Sequence, residues 1–520
     1  MDRFVAFNLM VAVPDSTTLT GTTQSIISAS LPALPALTIL WHPDPSRVGA
    51  MLLLSETGRG RTHQLARLSP LFPHYAEVTA PLGDTFMSRQ PCLEFEVTGR
   101  SLELRPLGGA VPIALGGKPL DERVVLDEGA LAQGAVLTLG RRIALCIHLA
   151  VLPSKQLQDL GFVGHSDVMN AVRTSILSVA DLSKPVLIRG ETGTGKELVA
   201  NAIVANGARK NKPFVAFNIA ALPPQLAAAE IFGHEKGAFT DAARERNGYF
   251  HQADGGTLFL DEIGLAPPDV QSALLRVLET GQVQRLGGNV ARHVDVRVLA
   301  ATDSDLLERP ERGQAFSPAL LHRLSNATIR LPALRERPQD LGLLLLHFLR
   351  DVLAETHELG RLETPMGAKR TWLDARLFVE LADCPWPGNV RQLRNFATEL
   401  AIHSRGKPTA QVTPALASML GRSDPPPQIT AAASDPVDHD RIAEALARND
   451  FQPARAARAL RVSRNTIYEH MRKDPNLGLL SRLSAEEFHR HIEDCDGDLR
   501  EVARRLQVSY RAVQLRFGKG

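Results

Sequence analysis

Two patterns of apolar and polar residues follow one another along much of the chain. From residue 37 to about residue 150, short runs such as CLEFEV and SLELRPL have the character of β-strands and are separated by turns rich in Gly and Pro. After about Pro153, apolar runs such as PVLIRG and GTLFLDE alternate with helical stretches such as KELVANAIVANGA. The first pattern predicts an all-β sandwich or barrel, and the second predicts a parallel sheet with helices on both faces.

The remaining segments divide the chain further. Residues 339–405 have the pattern of helices alone, whereas residues 406–438 contain Pro425-Pro426-Pro427 and little that could form a core. We therefore predict a multidomain protein with a loose leader over residues 1–36, a β-sandwich over 37–150, an α/β core over 160–338, a helical lid over 339–405, a linker over 406–438, and all-α units over 439–474 and 484–520.

The two C-terminal units are copies of one pattern. The stretch that begins at Asp450 matches the stretch that begins at Asp496, at an offset of 46 residues. Each copy has a helix, a short turn and a second helix, with Ser463 or Ser509 as the expected N-cap. Residues 441–520 hold 16 basic and 11 acidic residues, and this excess favours contact with double-stranded DNA. The candidate DNA-binding residues are Ser463, Arg464, Asn465, Thr466, Tyr468 and Arg472 in the first unit, and Ser509, Tyr510, Arg511 and Gln514 in the second.

Composition argues against several classes of protein. Of the 520 residues, 44% are hydrophobic and 22% are charged, which is typical of a globular rather than a disordered chain. The four cysteines are far apart, which argues against a disulfide scaffold or a zinc site. The apolar stretch over residues 5–13 lacks the positively charged start of a secretion signal, and no apolar run approaches the ~18 residues that span a bilayer. We expect a cytoplasmic protein without a membrane partner.

A glycine-rich loop follows the apolar run PVLIR and precedes a predicted helix. Glycines in such a loop let backbone N–H groups turn toward phosphate oxygens, and a lysine at the helix N-terminus adds a positive charge. The alternative is a flexible glycine turn, which the lysine and the strand–loop–helix context argue against. At Glu197, most loops of this kind have Ser or Thr for a magnesium ion. The candidate nucleotide-binding residues are Gly190, Glu191, Thr192, Gly193, Thr194, Gly195, Lys196 and Glu197.

Two carboxylates follow the apolar strand in GGTLFLDE. At the end of this strand, Asp261 would lie beside the phosphates and hold Mg²⁺ through water, and Glu262 would polarise the attacking water. On its own, a strand that ends in Asp-Glu is usually a solvated turn. Together with the glycine-rich loop, it predicts a site that binds and hydrolyses ATP.

Six motifs along the chain occur in an order that resembles one family. They are GETGTGKE, EIFGHEKGAFTDA, GGTLFLDEIG, LLRVLETGQVQRLGG, LPALRERPQDL and WPGNVRQL. Over residues 160–405 they resemble the AAA+ P-loop NTPase domain of sigma-54-dependent transcriptional activators, the bacterial enhancer-binding proteins. The resemblance implies a ring, usually a hexamer, in which ATP hydrolysis remodels sigma-54 RNA polymerase so that the promoter opens. It also implies a Glu at the position of Glu197.

The resemblance assigns roles to further residues. Asn218, at the end of PFVAFN, would restrain the catalytic Glu262, and Arg391 would contact the nucleotide from the lid. Arg323 would enter the active site of the neighbouring subunit as a catalytic arginine. The alternative for Arg391 is a surface arginine on a helix. The polymerase-contacting loop would comprise Gly237, Ala238, Phe239, Thr240, Asp241 and Ala242.

Three positions depart from the pattern of the family. Asp241 replaces a glycine in the polymerase-contacting loop and adds a negative charge there. Ser317 replaces one of two arginines that point into the neighbouring site, and such an arginine can be worth about 10³–10⁵ in rate. Asp303 is present where the family more often has Asn. We therefore expect ATP binding, while the departures bear on turnover and on coupling to polymerase.

The two ends of the chain resemble other parts of the same family. Both C-terminal units resemble its Fis-type helix-turn-helix, which normally occurs once, so the second copy would bind another half-site or pack against the first. Within residues 37–150, LARLSP and PLGDTFMSRQP resemble a weak form of the forkhead-associated (FHA) domain, which binds phosphothreonine peptides. Arg67, Ser88 and Arg89 would then bind the phosphate. The alternative is a β-sandwich retained for packing against the ATPase.

The sequence thus supports two functions. The first is an ATP-hydrolysing activator that opens promoters for sigma-54 RNA polymerase. The alternative is a DNA-binding regulator whose AAA+ module binds nucleotide as an assembly switch, hydrolyses it weakly and acts independently of sigma-54.

Overall fold

The computed structural model describes two compact units, with a boundary between Leu420 and Gly421. The described residues are 33–54, 62–74, 79–109, 111–151, 158–238, 242, 244–303, 316–364, 371–421, 446, 448, 485–495, 498–506 and 513. Within this part of the chain, no helix is long and apolar enough to cross a bilayer.

The first unit begins with a β-sandwich. One sheet has the strand order β2-β1-β10-β9-β6-β7, and the facing sheet has the order β3-β4-β5-β8. Apolar side chains of both sheets, among them Phe95 and Leu145, form one core between them. The elements are β1 (Leu34–Trp41), β2 (Met51–Leu53), β3 (Thr62–Leu65), β4 (Leu93–Thr98), β5 (Ser101–Pro106), β6 (Ile113–Leu115), β7 (Lys118–Pro119), β8 (Val124–Leu126), α1 (Glu128–Gln133), β9 (Ala135–Leu139) and β10 (Ile143–Ala150).

The start of β1 corrects the predicted end of the leader at residue 36. Leu34 already pairs with Ala150 of β10, so β1 begins inside the segment predicted to be loose. The leader contains no sustained alternation, and this pairing with a distant strand is what makes its last residues extended. The earlier leader residues, 1–32, lie outside the described residues.

The α/β core has a five-stranded parallel sheet in the order β12-β15-β18-β11-β19. Its strands are β11 (Val186–Arg189), β12 (Phe214–Asn218), β15 (Thr257–Asp261), β18 (Arg297–Thr302) and β19 (Ala327–Arg330). Two short antiparallel hairpins accompany the sheet, β13 (Gly233–His234) with β14 (Arg246–Asn247), and β16 (Gln282–Gln284) with β17 (Ala291–His293). The predicted strands PVLIRG, PFVAFN, GTLFLDE and DVRVLAA are confirmed.

Helices connect these strands. They are α2 (Asp167–Val179), α3 (Lys196–Ala205), α4 (Pro224–Phe232), α5 (Tyr249–Gln252), α6 (Pro268–Thr280) and α7 (Pro318–Leu324). In α6, buried Val270, Leu274 and Val277 share one face, Pro268 occupies the first turn, and Gly281 ends the helix with a positive φ of 69°. The predicted helices at KELVANAIVANGA and PDVQSALLRVLETG are confirmed.

The lid is longer than the sequence predicts. Its helices are α8 (Leu341–Glu355), α9 (Leu377–Asp383), α10 (Asn389–His403) and α11 (Pro414–Met419). Helix α11 buries Leu416 and Leu420 in the lid core, so the predicted linker cannot begin at residue 406. The error has a physical cause, because a helix of only 6 residues is too short to give a clear periodic signal in the sequence.

The β-sandwich and the lid share a hydrophobic core. Trp41 stacks on Phe378 of α9 with ring centroids 5.8 Å apart, and Ala144 and Cys146 of β10 belong to the same cluster as the lid leucines. Gly342 of α8 lies so close to β1 that a Cβ atom there would be 2.1 Å from the Leu40 carbonyl oxygen. Strand β10 is therefore covered on both faces, by the facing sheet and by the lid.

Two carboxylates, the buried Asp340 and the half-buried Asp167, join these parts to the α/β core. Asp340, just before α8, accepts hydrogen bonds from Ser166 Oγ at 2.6 Å and from the backbone N–H of His165 at 2.7 Å. Asp167, the first residue of α2, accepts a hydrogen bond at 2.7 Å from the N–H of Val151, just after β10. The start of α2 is thus fixed to both the lid and the sandwich.

The second compact unit, which begins at Gly421, contains a helix pair formed by α12 (Ala485–Glu493) and α13 (Leu499–Arg505). Phe488, Val502, Ala503 and Val513 form its buried core. The pair falls within the predicted second copy of the repeat. Of the first copy, only isolated positions belong to the described residues.

Candidate nucleotide-binding site

The glycine-rich loop lies between β11 and α3 at the carboxyl edge of the parallel sheet. Gly193 and Gly195 have positive φ values of 80° and 103°, which L-residues with a side chain rarely adopt. Thr194 donates a hydrogen bond from Oγ1 to the Glu191 carbonyl at 2.7 Å and closes the turn. The loop therefore leads directly into the N-terminus of α3, where backbone N–H groups and the helix dipole favour an anion.

Lys196 occupies the first position of α3, and its side chain is only 8% exposed. Its ammonium group donates a hydrogen bond to the Gly190 carbonyl at 3.0 Å and lies 3.8 Å from Glu262 Oε1. A buried cation thus lies between the loop and the end of β15. Glu197, the next residue, is exposed in the first turn of α3.

Asn218 and Asp261 end the neighbouring strands β12 and β15 and are paired in register. Asn218 Nδ2 donates a hydrogen bond to Asp261 Oδ2 at 3.2 Å, and the Glu262 N–H donates to Asp261 Oδ1 at 3.0 Å. Strand register places Asn218 opposite Asp261, to which it is bonded in this conformation. The expected restraint of Glu262 by Asn218 stays a prediction.

Glu262 has the geometry and environment of a candidate base. Its backbone is left-handed, with φ 54°, which turns the residue out of the line of β15. Burial raises the pKa of its carboxyl, the positive charge of Lys196 opposes this shift, and the charge of Asp303 adds to it. A carboxyl whose pKa lies closer to neutrality is a better proton acceptor at physiological pH.

The lid contributes to the same site through the start of α10. The backbone N–H of Arg391 donates a hydrogen bond to the Gly193 carbonyl at 3.2 Å. A Cβ atom on Gly193 would lie 2.3 Å from the Gly388 carbonyl oxygen, so the loop and the lid are in direct contact. The charge of Arg391 also acts to lower the pKa of Glu262.

Two residues near the loop were not identified from the sequence. Asn389, the first residue of α10, is fully buried and donates hydrogen bonds from Nδ2 to Glu191 Oε2 and to the Thr192 carbonyl, both at 3.1 Å. Arg335 forms a bidentate ion pair with Glu191, with distances of 2.8 and 2.5 Å. The hydrogen bonds from Arg335 lower the pKa of Glu191 to about 2. Asn389 has a positive φ, which Asn adopts more readily than most residues, so in the sequence its residue type is the signal that points to this tight turn.

The candidate catalytic arginine lies on α7. Arg323 is exposed in the last turn of the helix. Ser317 caps the same helix, since its Oγ accepts a hydrogen bond from the Leu320 N–H at 3.4 Å, and its own N–H donates to Gln271 Oε1 at 2.7 Å. The residue that replaces the family's second arginine thus has a structural role here.

The base of the predicted polymerase-contacting loop is well defined. The Gly237 N–H donates a hydrogen bond to the Ala242 carbonyl at 2.9 Å. Arg285 donates to Glu235 at 3.0 Å and to Glu245 at 3.1 Å, so it ties the two arms of the loop together. The predicted contact residues outside the described part of the chain are Phe239, Thr240 and Asp241.

In the β-sandwich, the structure brings Arg67 and Ser88 together. The Arg67 N–H donates a hydrogen bond to the Ser88 carbonyl at 2.9 Å. The Arg67 guanidinium donates to the carbonyl oxygens of Met87, at 2.8 Å, and Thr85, and so holds this turn. Arg89, next in the chain, is exposed.

The predicted DNA-binding residues lie outside the described residues in both C-terminal units. They are Ser463, Arg464, Asn465, Thr466, Tyr468, Arg472, Ser509, Tyr510, Arg511 and Gln514. Their placement on recognition helices remains a prediction from the sequence.

Comparison with known protein families covers much of the same region. Residues 162–330 match the sigma-54 interaction domain, residues 335–415 match an AAA+ ATPase lid domain, and residues 435–473 match the Fis family of bacterial regulatory proteins. The matched lid extends beyond residue 405, in agreement with the packing of α11.

Three curated relatives are similar to the chain. It is 41% identical over 325 residues to the Nif-specific regulatory protein of Azotobacter vinelandii, covering 60% of this chain and 59% of that protein. It is 45% identical over 245 residues to the DNA-binding transcriptional regulator NtrC of Escherichia coli (strain K12), covering 47% and 50%. It is 38% identical over 320 residues to the transcriptional regulatory protein ZraR of Salmonella typhimurium, covering 61% and 70%.

The extent of these matches bears on what they show. The chain spans between half and 60% of the length of the Nif-specific regulator and NtrC, but more than two thirds of ZraR. Together with the three matched domains in their order, this similarity shows that the chain belongs to the family of sigma-54-dependent transcriptional regulators, the enhancer-binding activators.

Proposed function

We propose that the chain is an ATP-hydrolysing transcriptional activator that acts on sigma-54 RNA polymerase. One observation supports this more than any other, namely that the buried ammonium of Lys196 lies between the phosphate loop and the carboxylate of Glu262. A cation at that position would bind the phosphates of a nucleotide while a base lies beside them. The start of the lid helix that carries Arg391 is in contact with the same loop.

The donor set suits ATP with a magnesium ion. Mg²⁺ usually keeps several waters and takes one or two carboxylates together with substrate phosphates. Asp261, at the end of β15, would hold the ion through water, and among the described residues no group of three His, Cys, Asp or Glu offers an alternative metal site. When bound, the ion would neutralise part of the charge of the phosphates. The position at which other loops have Ser or Thr for the ion is Glu197 in this chain.

Hydrolysis would require more than one subunit. Glu262 would orient and deprotonate the attacking water, and the exposed Arg323 would enter the site of a neighbouring copy. We expect a ring, and specifically a hexamer, because that is the assembly which the family resemblance implies. Gly237 and Ala242 would hold the polymerase-contacting loop at its base, with Phe239 and Thr240 as the contact residues.

The C-terminal units would bind double-stranded DNA in the cytoplasm, the compartment of bacterial promoters. The first unit, within the Fis family match, would place the helix after Ser463 in the major groove. The second unit would bind a further half-site or pack against the first. Arg464→Ala is expected to weaken binding to operator DNA. Arg511→Ala distinguishes the two roles of the second unit, because this substitution lowers the affinity for DNA only if the second unit binds DNA.

For the β-sandwich we propose a packing role rather than phosphothreonine binding. The Arg67 guanidinium, which a phosphate would need, donates its hydrogen bonds to the Met87 and Thr85 carbonyls. The sandwich also shares a core with the lid. Titration of the protein with phosphothreonine peptides tests the other interpretation, since saturable binding that is lost in Arg89→Ala would restore the FHA role.

The experiment that tests the main proposal is ATP turnover as a function of protein concentration. Turnover per subunit that rises with concentration, and that is absent in Lys196→Ala and Arg323→Ala, is the expected result. Glu262→Gln is the matched control, because it should retain ATP binding while losing turnover. Promoter opening by sigma-54 polymerase, measured with the same variants, connects turnover to transcription.

The alternative function predicts a different set of results. A regulator that uses nucleotide as an assembly switch would bind ATP and assemble, with little or no turnover above the Lys196→Ala background and no effect on sigma-54 polymerase. Asp241 in the polymerase-contacting loop and Ser317 at the cap of α7 favour this alternative. Turnover shared between subunits would exclude it.

A further inference from the structure

The carboxylate of Glu191 joins the phosphate loop to the segment that leads into the lid. Arg335 lies in a short 3₁₀ turn, Leu334–Glu336, between the last strand of the core sheet and helix α8. Its Nη1 and Nη2 donate to the two oxygens of Glu191, at 2.8 and 2.5 Å. This planar two-bond geometry fixes orientation as well as distance.

The same carboxylate also contacts the lid itself. Asn389, the first residue of α10, donates to Glu191 Oε2 and to the Thr192 carbonyl. The Asn389 Oδ1 accepts a hydrogen bond from the Leu334 N–H at 2.8 Å. Asn389 is fully buried, so the loss of any of these hydrogen bonds would leave a buried polar group unsatisfied and lower the stability of this arrangement. Loop, connecting segment and lid helix therefore meet at one carboxylate.

We propose that Glu191 is a positioning residue, which latches the lid onto the phosphate loop and thereby sets how closely Arg391 approaches the nucleotide. This inference rests on the proposed nucleotide binding. Arg391 follows Asn389 by two residues, and its backbone N–H is bonded to Gly193 of the loop. A lid that rotates away from the loop must break the contacts of Asn389 and of Arg391 together.

Simple electrostatics predicts the opposite effect of Glu191 on ATP affinity. A carboxylate in a phosphate-binding loop repels a triphosphate, so its removal should strengthen binding, and removal of Arg335 should weaken it. If Glu191 instead acts as a latch, loss of either partner weakens binding. The double variant is then no weaker than the single ones, because the two side chains act as one unit.

The test is the equilibrium affinity of the full-length protein for a fluorescent ATP analogue. Glu191→Gln, Arg335→Met and the double variant are each expected to weaken binding by about 5-fold, the range of a charge-assisted hydrogen-bonded pair at a partly exposed site. Arg335→Lys, which retains the charge but loses the fork, should give an intermediate affinity. Arg330→Met is the matched control, since the charge of Arg330 also lowers the pKa of Glu191 but its guanidinium pairs with Glu336 at 3.5 Å, and it should change affinity much less.

The outcomes separate the latch from the proposed function. If Glu191→Gln binds the analogue as tightly as the wild type or more tightly, or if the effects of the two single variants simply add, the latch is wrong. If the wild-type protein and Lys196→Ala bind the analogue equally poorly, nucleotide binding itself is refuted. Circular dichroism of each variant checks folding, and Arg335→Met provides a second route to the same result if Glu191→Gln is unstable.

Discussion

Replacement of Gly342 by alanine tests the contact between the β-sandwich and the lid through the sign of its effect. In the middle of an exposed helix, Gly→Ala stabilises a protein by about 1 kcal/mol, because glycine is a poor helix former. In this structure, the new methyl group would lie 2.1 Å from the Leu40 carbonyl oxygen and 2.7 Å from the Leu40 Cα and carbonyl carbon. Backbone atoms of β1 must therefore move.

The size of the effect follows from these two opposing contributions. Overpacking a well-packed core typically costs about 1–3 kcal/mol. Backbone atoms rather than the end of a flexible side chain must give way, so we expect the upper half of this range. The gain in helix propensity is at most that of a helix interior, because Gly342 lies in the first turn of α8. After its subtraction, the free energy of unfolding of the sandwich–lid core should fall by at least about 1–2 kcal/mol.

Tryptophan fluorescence is a selective assay for this core. All three tryptophans of the chain, Trp41, Trp372 and Trp386, belong to the cluster that the sandwich and the lid share. With a urea m value of about 2–3 kcal/mol/M, the midpoint of the fluorescence transition should fall by about 0.5 M. Gly360→Ala is the matched control, since no atom lies within 4 Å of its Cβ position, and its midpoint should be unchanged or slightly higher. A higher midpoint for Gly342→Ala would refute the docking of β1 on α8.

Three further predictions concern single charged residues. Burial raises the pKa of Glu262 in the folded state, so the contribution of this carboxyl to stability is present at acid pH and is lost as pH rises through that pKa. Glu262→Gln should therefore raise the urea midpoint at neutral pH, and the difference from the wild type should disappear in acid. Arg142→Met should destabilise the sandwich by about 3 kcal/mol in thermal unfolding, because it leaves the carboxylate of Asp84 without its bidentate partner, and this side chain is only 2% exposed. Adding Asp84→Leu to the same chain should recover part of the lost stability. Ser317→Ala should cost about 1 kcal/mol through loss of the cap on α7 and leave ATP affinity unchanged in a nucleotide-binding titration.

The α/β core could be predicted from the sequence because each local signal agrees with the fold. The strand PVLIRG, the glycines after it and the amphipathic helix that begins at Lys196 are contiguous in the chain, so no long-range information is needed. Asp261 and Glu262 follow a strand in the same way. The parallel sheet then brings the separate loops to one edge.

The residues that were missed depend on contacts between distant parts of the chain. Asn389 and Arg335 meet Glu191 only because the lid folds back on the loop, and the partner of Asn218 depends on strand register. No local pattern encodes these distances. The tip of the polymerase-contacting loop and the two recognition helices stay predictions for a different reason, since they lie outside the described residues.

One signal for the sandwich–lid contact was nevertheless present in the sequence. Strands β4 and β5, LEFEVT and SLELRP, alternate apolar and charged residues, as expected of a sheet with one exposed face. Strand β10, IALCIHLA, is almost continuously apolar, and every residue of it except His148 and Ala150 belongs to or packs against a core on one face or the other. A continuous apolar strand indicates that both faces of a sheet are covered. The second cover, in this chain, is the lid.

The lid therefore contacts the β-sandwich through α8 and α9 and the phosphate loop through α10. A ligand or partner of the sandwich can change ATP affinity through this path only if it binds differently to the two arrangements of the lid. By linkage, ATP must then change the affinity of the sandwich for that partner by the same factor, typically 5- to 150-fold for coupling free energies of about 1–3 kcal/mol. Gly342→Ala, which loosens the first contact, and Glu191→Gln, which loosens the second, should each reduce that factor. A sandwich that merely completes the core of the lid would leave ATP affinity the same in Gly342→Ala, so this one variant separates a structural role from a regulatory one.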